Sequence, residues 1–220
     1  MVNDDELRRL LGRTRDHNVN APHLTEAECA ALPNRNEVAL LAILAADDRP
    51  NRLSLNKHLL EVDNDRAAKL LHGLVSQGRV DLSDSSMAGV VAAVWTLAEP
   101  FKAGLDPADW IGMFRSNGYT HEGDLCPLPV EPVTVYRGAV EDRRVGLAWT
   151  TDYDTAREFA CARMSGREKG NIYKTIIEPG LMLAYIHDVL GRGEAEFVVD
   201  QERLNPNSID RIARGEDVCP

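Results

Sequence analysis

The feature that most restricts the fold of this chain is a change of hydrophobic period at one proline-rich stretch, Cys126-Pro127-Leu128-Pro129-Val130-Glu131-Pro132. Before it, apolar residues recur at helical spacing; after it, they come in short runs suited to strands. Prolines so closely spaced can continue neither a helix nor a central strand, so the stretch marks a crossover between two kinds of structure.

Upstream the sequence reads as successive helices. Thr25 and Glu28 form a capping box for a short helix that ends before Pro33, and Asn36 caps a second with Val38, Leu40, Leu41, Ile43 and Leu44 on its apolar face. A third is predicted over 64–77, with Ala67, Leu70, Leu71, Leu74 and Val75 at helical spacing and Gly78 as its stop. A fourth is expected over 86–97, broken by Pro100, and Asp106-Pro107 opens a fifth that runs past Trp110 and Phe114 towards Gly118. Downstream, strands are predicted at 133–136, 147–151, 171–177, 181–186 and 194–200, with a helix over 155–164 between the second and third. The expected class is therefore α+β, with an N-terminal helical region over 1–84 and a second domain over 85–220.

Bulk composition narrows the function. A net charge of −10 repels nucleic-acid phosphates unless a local basic patch overrides it. No window approaches the ~20 apolar residues of a membrane span, and the acidic start Met1-Val2-Asn3-Asp4-Asp5-Glu6 is unlike a secretory signal, so a cytoplasmic protein is expected. Cys29, Cys126, Cys161 and Cys219 lie far apart without a C-x-x-C pair. Neither a zinc site nor a disulfide framework is expected from that spacing, and the thiols are read as reduced and structural.

Three segments carry chemistry: Val135-Tyr136-Arg137-Gly138, Ala148-Trp149-Thr150-Thr151-Asp152 and Gly193-Glu194-Ala195-Glu196-Phe197-Val198-Val199-Asp200. If their strands adjoin, an arginine, a pair of hydroxyls and two carboxylates converge on one place. Glu194 and Glu196 are two apart, and on a regular strand alternate side chains share a face. Like charges held so close are unfavourable without a purpose, though two surface acids at a strand start would read the same way.

Taken together and in this order, the segments resemble the cholera-toxin-like, arginine–serine/threonine–glutamate branch of the mono-ADP-ribosyltransferase family, including its bacterial and phage-borne members. The likeness covers about the last ninety residues and includes the helix ending in Phe159-Ala160 after the hydroxyl motif. It implies a catalytic core of two small packed β-sheets, NAD⁺ as co-substrate, and ADP-ribose transfer to a target protein, most simply on an arginine. On that resemblance Arg137 holds the pyrophosphate or adjoining ribose, and Gly138 lets the nicotinamide amide approach the backbone. Thr150 and Thr151 orient Glu196 and the nicotinamide-side ribose. Glu196 is the essential carboxylate at the ribose, and Glu194 serves the accepting nucleophile as base or anchor. Trp149 stands where the family's motif begins with serine, and is read either as a stacking surface or as core packing. The stretch His187-Asp188-Val189-Leu190-Gly191-Arg192-Gly193 resembles the family's acceptor-recognising loop, and Tyr153, Tyr185 and His187 are further candidates for the pocket lining. No metal is needed for this chemistry.

Other readings stay open on the sequence. Water as acceptor would make the chain an NAD⁺ glycohydrolase, and a non-catalytic relative would bind NAD⁺ or a partner protein only. The stretch 36–82 loosely resembles a winged helix-turn-helix, although its basic residues Arg49, Arg52, Lys57, Arg66, Lys69 and Arg79 are nearly matched by acids, which weakens a nucleic-acid-binding role.

Overall fold

The computed structural model describes residues 64–98, 104–161, 169–188 and 193–219, together with Leu55 and Leu59. The chain divides into two compact units, Met1–Leu105 and Asp106–Pro220. The helix expected over 86–97 thus falls in the first unit, whereas the sequence had suggested a boundary at 84/85. The helices expected from Thr25 and Asn36 lie outside the described residues.

In the first unit, α1 (Asn64–Ser76) buries Ala67, Ala68, Leu71 and Leu74 along one stripe. It ends where Gly78 takes a positive φ of 68° that a side chain would resist. Asp84 accepts a hydrogen bond from the Ser86 amide at 2.8 Å and caps a short 3₁₀ turn, Ser85–Met87. Gly89, at φ 79°, then redirects the chain into α2 (Val90–Leu97), which buries Val90, Val91, Val94 and Trp95. The single helix expected from 86 is therefore two pieces, because the left-handed Gly89 cannot sit inside an α-helix.

The second unit opens with α3 (Pro107–Asn117), proline in its first turn and Gly118 at its end, as the sequence indicates. A small hairpin follows, β1 (Thr120–His121) and β2 (Asp124–Leu125). After the proline-rich crossover come β3 (Val133–Ala139), β4 (Ala148–Thr150), α4 (Tyr153–Ala160), β5 (Asn171–Ile177), β6 (Met182–Ile186), β7 (Glu196–Val199), β8 (Asp210–Ala213) and α5 (Gly215–Val218). The class is α+β, and all five expected strands are present.

Hydrogen bonding joins the eight strands into one sheet in the order β2-β1-β6-β7-β4-β3-β5-β8, in place of two separate sheets. The sheet is narrow at one point. β3 runs beside β5 over seven residue pairs from Val133 to Ala139, but meets β4 only where Tyr136 faces Thr150. A five-strand limb and a three-strand limb are hinged on that contact. Both feed one core: Val135, Tyr173 and Ile177 from the smaller limb pack with Trp149, Met182, Phe197 and Val199 from the larger.

Two further features differ from expectation or add to it. Cys161 and Cys219, read from their spacing as reduced thiols, are joined in a disulfide with Cα atoms 5.1 Å apart, because the fold brings the end of α4 beside the end of α5. Cys126 is free. Among the described residues, no helix is long and apolar enough to cross a membrane.

The end of β7 is tied to α3 by an ion pair between Arg115 and the fully buried Asp200. The other oxygen of Asp200 has no hydrogen-bond partner among the described residues. Arg115 is then the main compensation for burying that carboxylate. Arg115→Met, which strands the charge, is expected to cost about 3–5 kcal/mol, and Asp200→Asn, which removes it, clearly less. Urea unfolding of both variants checks this; equal losses would show that the carboxylate is not held as a charge.

Candidate functional site

The three segments singled out in the sequence lie on neighbouring strands. Tyr136 on β3 faces Thr150 on β4, and Thr150 faces Glu196 on β7, so a single row crosses all three. Arg137 follows Tyr136 and by strand alternation starts on the opposite face. Its side chain turns into the gap where β3 and β4 part: Nη1 donates to the Ala148 carbonyl at 2.6 Å and Nε to the Arg143 carbonyl at 3.1 Å. Those bonds use part of the guanidinium's fork and leave its remaining N–H groups for another acceptor.

The surroundings of Arg137 favour an anion. Burial pulls the guanidinium down to about 10, the charge of Glu196 works in the other direction, and Arg143 adds to the fall. A lowered value for a base means that the charged form is under-solvated in the fold. At neutral pH the group is still a cation, so a bound anion would restore what the withdrawn water took away. Gly146 makes the placement possible. A Cβ at that position would overlap the guanidinium of Arg137, so only glycine leaves room for the side chain to lie there. Sequence reasoning passed over Gly146; its position in the turn between the arginine and threonine strands was the available signal.

The contacts of the threonines within the protein run to backbone. Thr150 is buried, and its hydroxyl donates to the Glu194 carbonyl at 2.7 Å and accepts from the Asp152 amide at 3.0 Å. It therefore fixes the backbone of the glutamate segment and the first turn of α4, with no bond to the carboxylate of Glu196. Thr151 is exposed and reaches the same segment through its backbone, its amide donating to the Ala195 carbonyl at 3.1 Å.

The glutamates also depart from the simple picture. β7 begins at Glu196, and Ala195 holds a φ of 45°, so the two-residue alternation assumed for Glu194 and Glu196 does not apply across it. Both are partly buried beside the Thr150–Thr151 segment. What brings them there is a bonded backbone turn. A left-handed alanine is a strained residue, and strain of this kind persists where the surroundings over-determine it.

The other positions singled out in the sequence have the following surroundings. A Cβ on Gly138 would overlap the Ala156 carbonyl and the Ala160 amide, so its glycine is required by the close packing of α4 on β3. Trp149 is buried in the core and its indole N–H donates to the Gly146 carbonyl at 2.7 Å; of its two possible roles the structure supplies core packing. Tyr185 lies between His121 and Phe197, with ring centroids 4.8 and 4.9 Å away. Tyr153 meets Tyr136 edge-on at 5.7 Å, at the exposed start of α4. His187 is exposed, and its amide is bonded to the carboxylate of Glu122, a residue the sequence reading did not single out. Among the described residues, no group of three or more His, Cys, Asp or Glu is placed to hold a metal ion.

Asp152 connects the threonine strand to α4. Its carboxylate accepts from the Asp154 amide at 3.0 Å and from the Thr155 hydroxyl at 2.8 Å. The Thr155 hydroxyl first, then the Asp154 amide, hold it below its ordinary value of 3.8. A lowered acid stabilises the fold above its unfolded pKa, and the contribution is lost as pH falls through the folded one. Asp152→Ala is thus expected to cost about 1 kcal/mol at neutral pH, as for other helix caps. In thermal melts, that deficit should shrink as the carboxylate protonates in acid; a deficit independent of pH would contradict the capping role. Comparison with family models, with curated proteins and with solved structures finds no match to this chain.

Proposed function

We propose that this chain is a mono-ADP-ribosyltransferase that cleaves NAD⁺ at the nicotinamide–ribose bond and transfers ADP-ribose to a side chain of a target protein, most simply an arginine. The observation that carries the reading is the row of Tyr136, Thr150 and Glu196 across β3, β4 and β7, with the guanidinium of Arg137 lodged at the gap beside it and sensing the charge of Glu196. On this reading the two limbs of the sheet correspond to the family's two small sheets, and the narrow join between them marks the site.

The division of labour follows from the chemistry of each group. Arg137, charged at neutral pH and with N–H groups to spare, takes the pyrophosphate. Glu196 accepts a hydrogen bond from the ribose 2′-hydroxyl. Its negative charge stabilises the positive charge that grows on the ribose as the C–N bond breaks and nicotinamide leaves with the bonding pair. The acceptor nucleophile then attacks the ribose carbon, and Glu194 takes the proton it gives up. Thr150 and Thr151 support this from behind, by holding the backbone of Glu194 and Ala195. The target protein remains the partner to be found, and the compartment in which the chain acts follows from that target.

Labelled NAD⁺ incubated with the protein and a cell lysate tests the proposal. Label should become protein-bound, and Glu196→Gln should reduce the rate by about 10²-fold or more. Arg137→Lys, which keeps the charge but loses the fork, should chiefly raise KM for NAD⁺. Free ADP-ribose with no protein-bound label would assign the chain as a glycohydrolase, and equal labelling by wild type and Glu196→Gln would defeat the proposal.

A further inference from the structure

Two described residues other than glycine hold a positive φ, Glu122 at 54° and Ala195 at 45°. They stand at opposite ends of one hydrogen-bonded path. Glu122 and Gly123, at φ 54° and 81°, form the two-residue turn between β1 and β2. Such a turn with both residues left-handed is the one that Asn-Gly or Asp-Gly fills most readily, because their short side chains tolerate the conformation. Glutamate is a poor choice on local grounds.

What offsets that choice is the reach of its carboxylate. Oε1 accepts from the His187 amide at 2.8 Å and Oε2 from the Asp188 amide at 2.9 Å. One carboxylate thereby takes two consecutive backbone donors at the point where the chain leaves β6, a charge-assisted arrangement that a shorter side chain could not span. The anchor is itself fixed. The Glu122 amide donates to the Tyr185 carbonyl at 3.0 Å, and β1 runs parallel to β6 with His121 beside Tyr185. The rings of His121, Tyr185 and Phe197 meet in sequence, each tilted against the next, across β1, β6 and β7.

From there the path leads to the glutamates. The Gly193 amide donates to the carbonyl of the same His187 at 2.8 Å, and Glu194 follows directly, its own carbonyl held by Thr150. Glu194 is thus set from two sides, by the hydroxyl of Thr150 and by the Glu122 carboxylate acting through His187 and Gly193.

The geometry points to Glu122 as a positioning residue for Glu194: the tip of the β1–β2 hairpin, distant in sequence from the catalytic strands, sets the backbone that presents the acceptor-side carboxylate. This rests on the function proposed above. It assigns Glu122 to the transfer half of the reaction and leaves cleavage of the nicotinamide bond to Arg137 and Glu196.

The decisive variant is Glu122→Asn, because asparagine suits the turn and cannot reach the two amides; the gain in the turn offsets part of the two lost bonds, and thermal melts should show a folded protein. Misplacement of a reacting group by about 1 Å can cost as much as 10²-fold, so ADP-ribose transfer to protein should fall by about tenfold or more while NAD⁺ hydrolysis falls far less. Glu122→Gln, which keeps the length and one acceptor oxygen, should lie between. Transfer at the wild-type rate in Glu122→Asn, or transfer and hydrolysis falling by the same factor, would overturn the assignment. Amide exchange supplies a readout independent of NAD⁺. Faster exchange at His187, Asp188 and Gly193 in Glu122→Asn supports the path, and unchanged protection at Gly193 overturns it. A wild-type chain that consumed no NAD⁺ would remove the proposed function alone, and the exchange result would still decide whether Glu122 holds the segment that carries Glu194.

Discussion

The second unit is organised around one backbone contact, the pairing of Tyr136 with Thr150, the one residue pair at which β3 and β4 are in register. On either side of it the sheet is well bonded, and at it the strands part within a residue. A gap in a sheet leaves peptide groups without their ladder partners, and buried peptide groups must be satisfied in some other way. Here the Ala148 carbonyl is satisfied by Arg137. The interaction that mends the gap is therefore also the one that places a cation in it, and structure and electrostatics have a common origin.

The surrounding elements are shaped to keep that arrangement rigid. Gly146 and Gly138 both stand where a methyl group would collide, one with the arginine and the other with the backbone of α4. Close approach of this kind lets α4 lie directly on β3. Thr150 adds a second tie, from the same segment to the glutamates. The Gly138 and Thr150 contacts are to backbone, and the Gly146 contact is to the Arg137 side chain. The backbone of Glu194 and Ala195 is held by the threonine segment beneath it.

Much of this was legible in the sequence where the signal is local and long. The strand over 171–177 was readable to the residue because it is a run of apolar and β-branched residues between polar stops, and α3 because Asp106-Pro107 and Gly118 bracket it. The order of strands was not readable, since pairing is non-local; the convergence of Arg137, Thr150 and Glu196 had to be conditional on adjacency. The hairpin over Thr120–Leu125 escaped notice because each strand is two residues long and its turn carries glutamate where asparagine would have announced it. β8 escaped because Asp210 and Arg211 give an edge strand no apolar run. Regular alternation was wrongly extended through Ala195, because an alanine gives no sign in the sequence that its backbone will be left-handed. The disulfide was missed for a similar reason, as a sequence separation of 58 between its halves says nothing of their meeting in space.

That cross-link has a consequence for where the protein is most robust. It fastens the tail of the chain to α4, the helix that backs the arginine strand. On a chain-entropy view, closing a loop of that length restrains the denatured ensemble by about 4 kcal/mol, a large part of a small domain's whole stability. Glutathione-rich surroundings would sever it and oxidising ones would keep it. The same polypeptide would consequently be a tough particle in one milieu and a pliant one in another, with its last residues acting as the buckle.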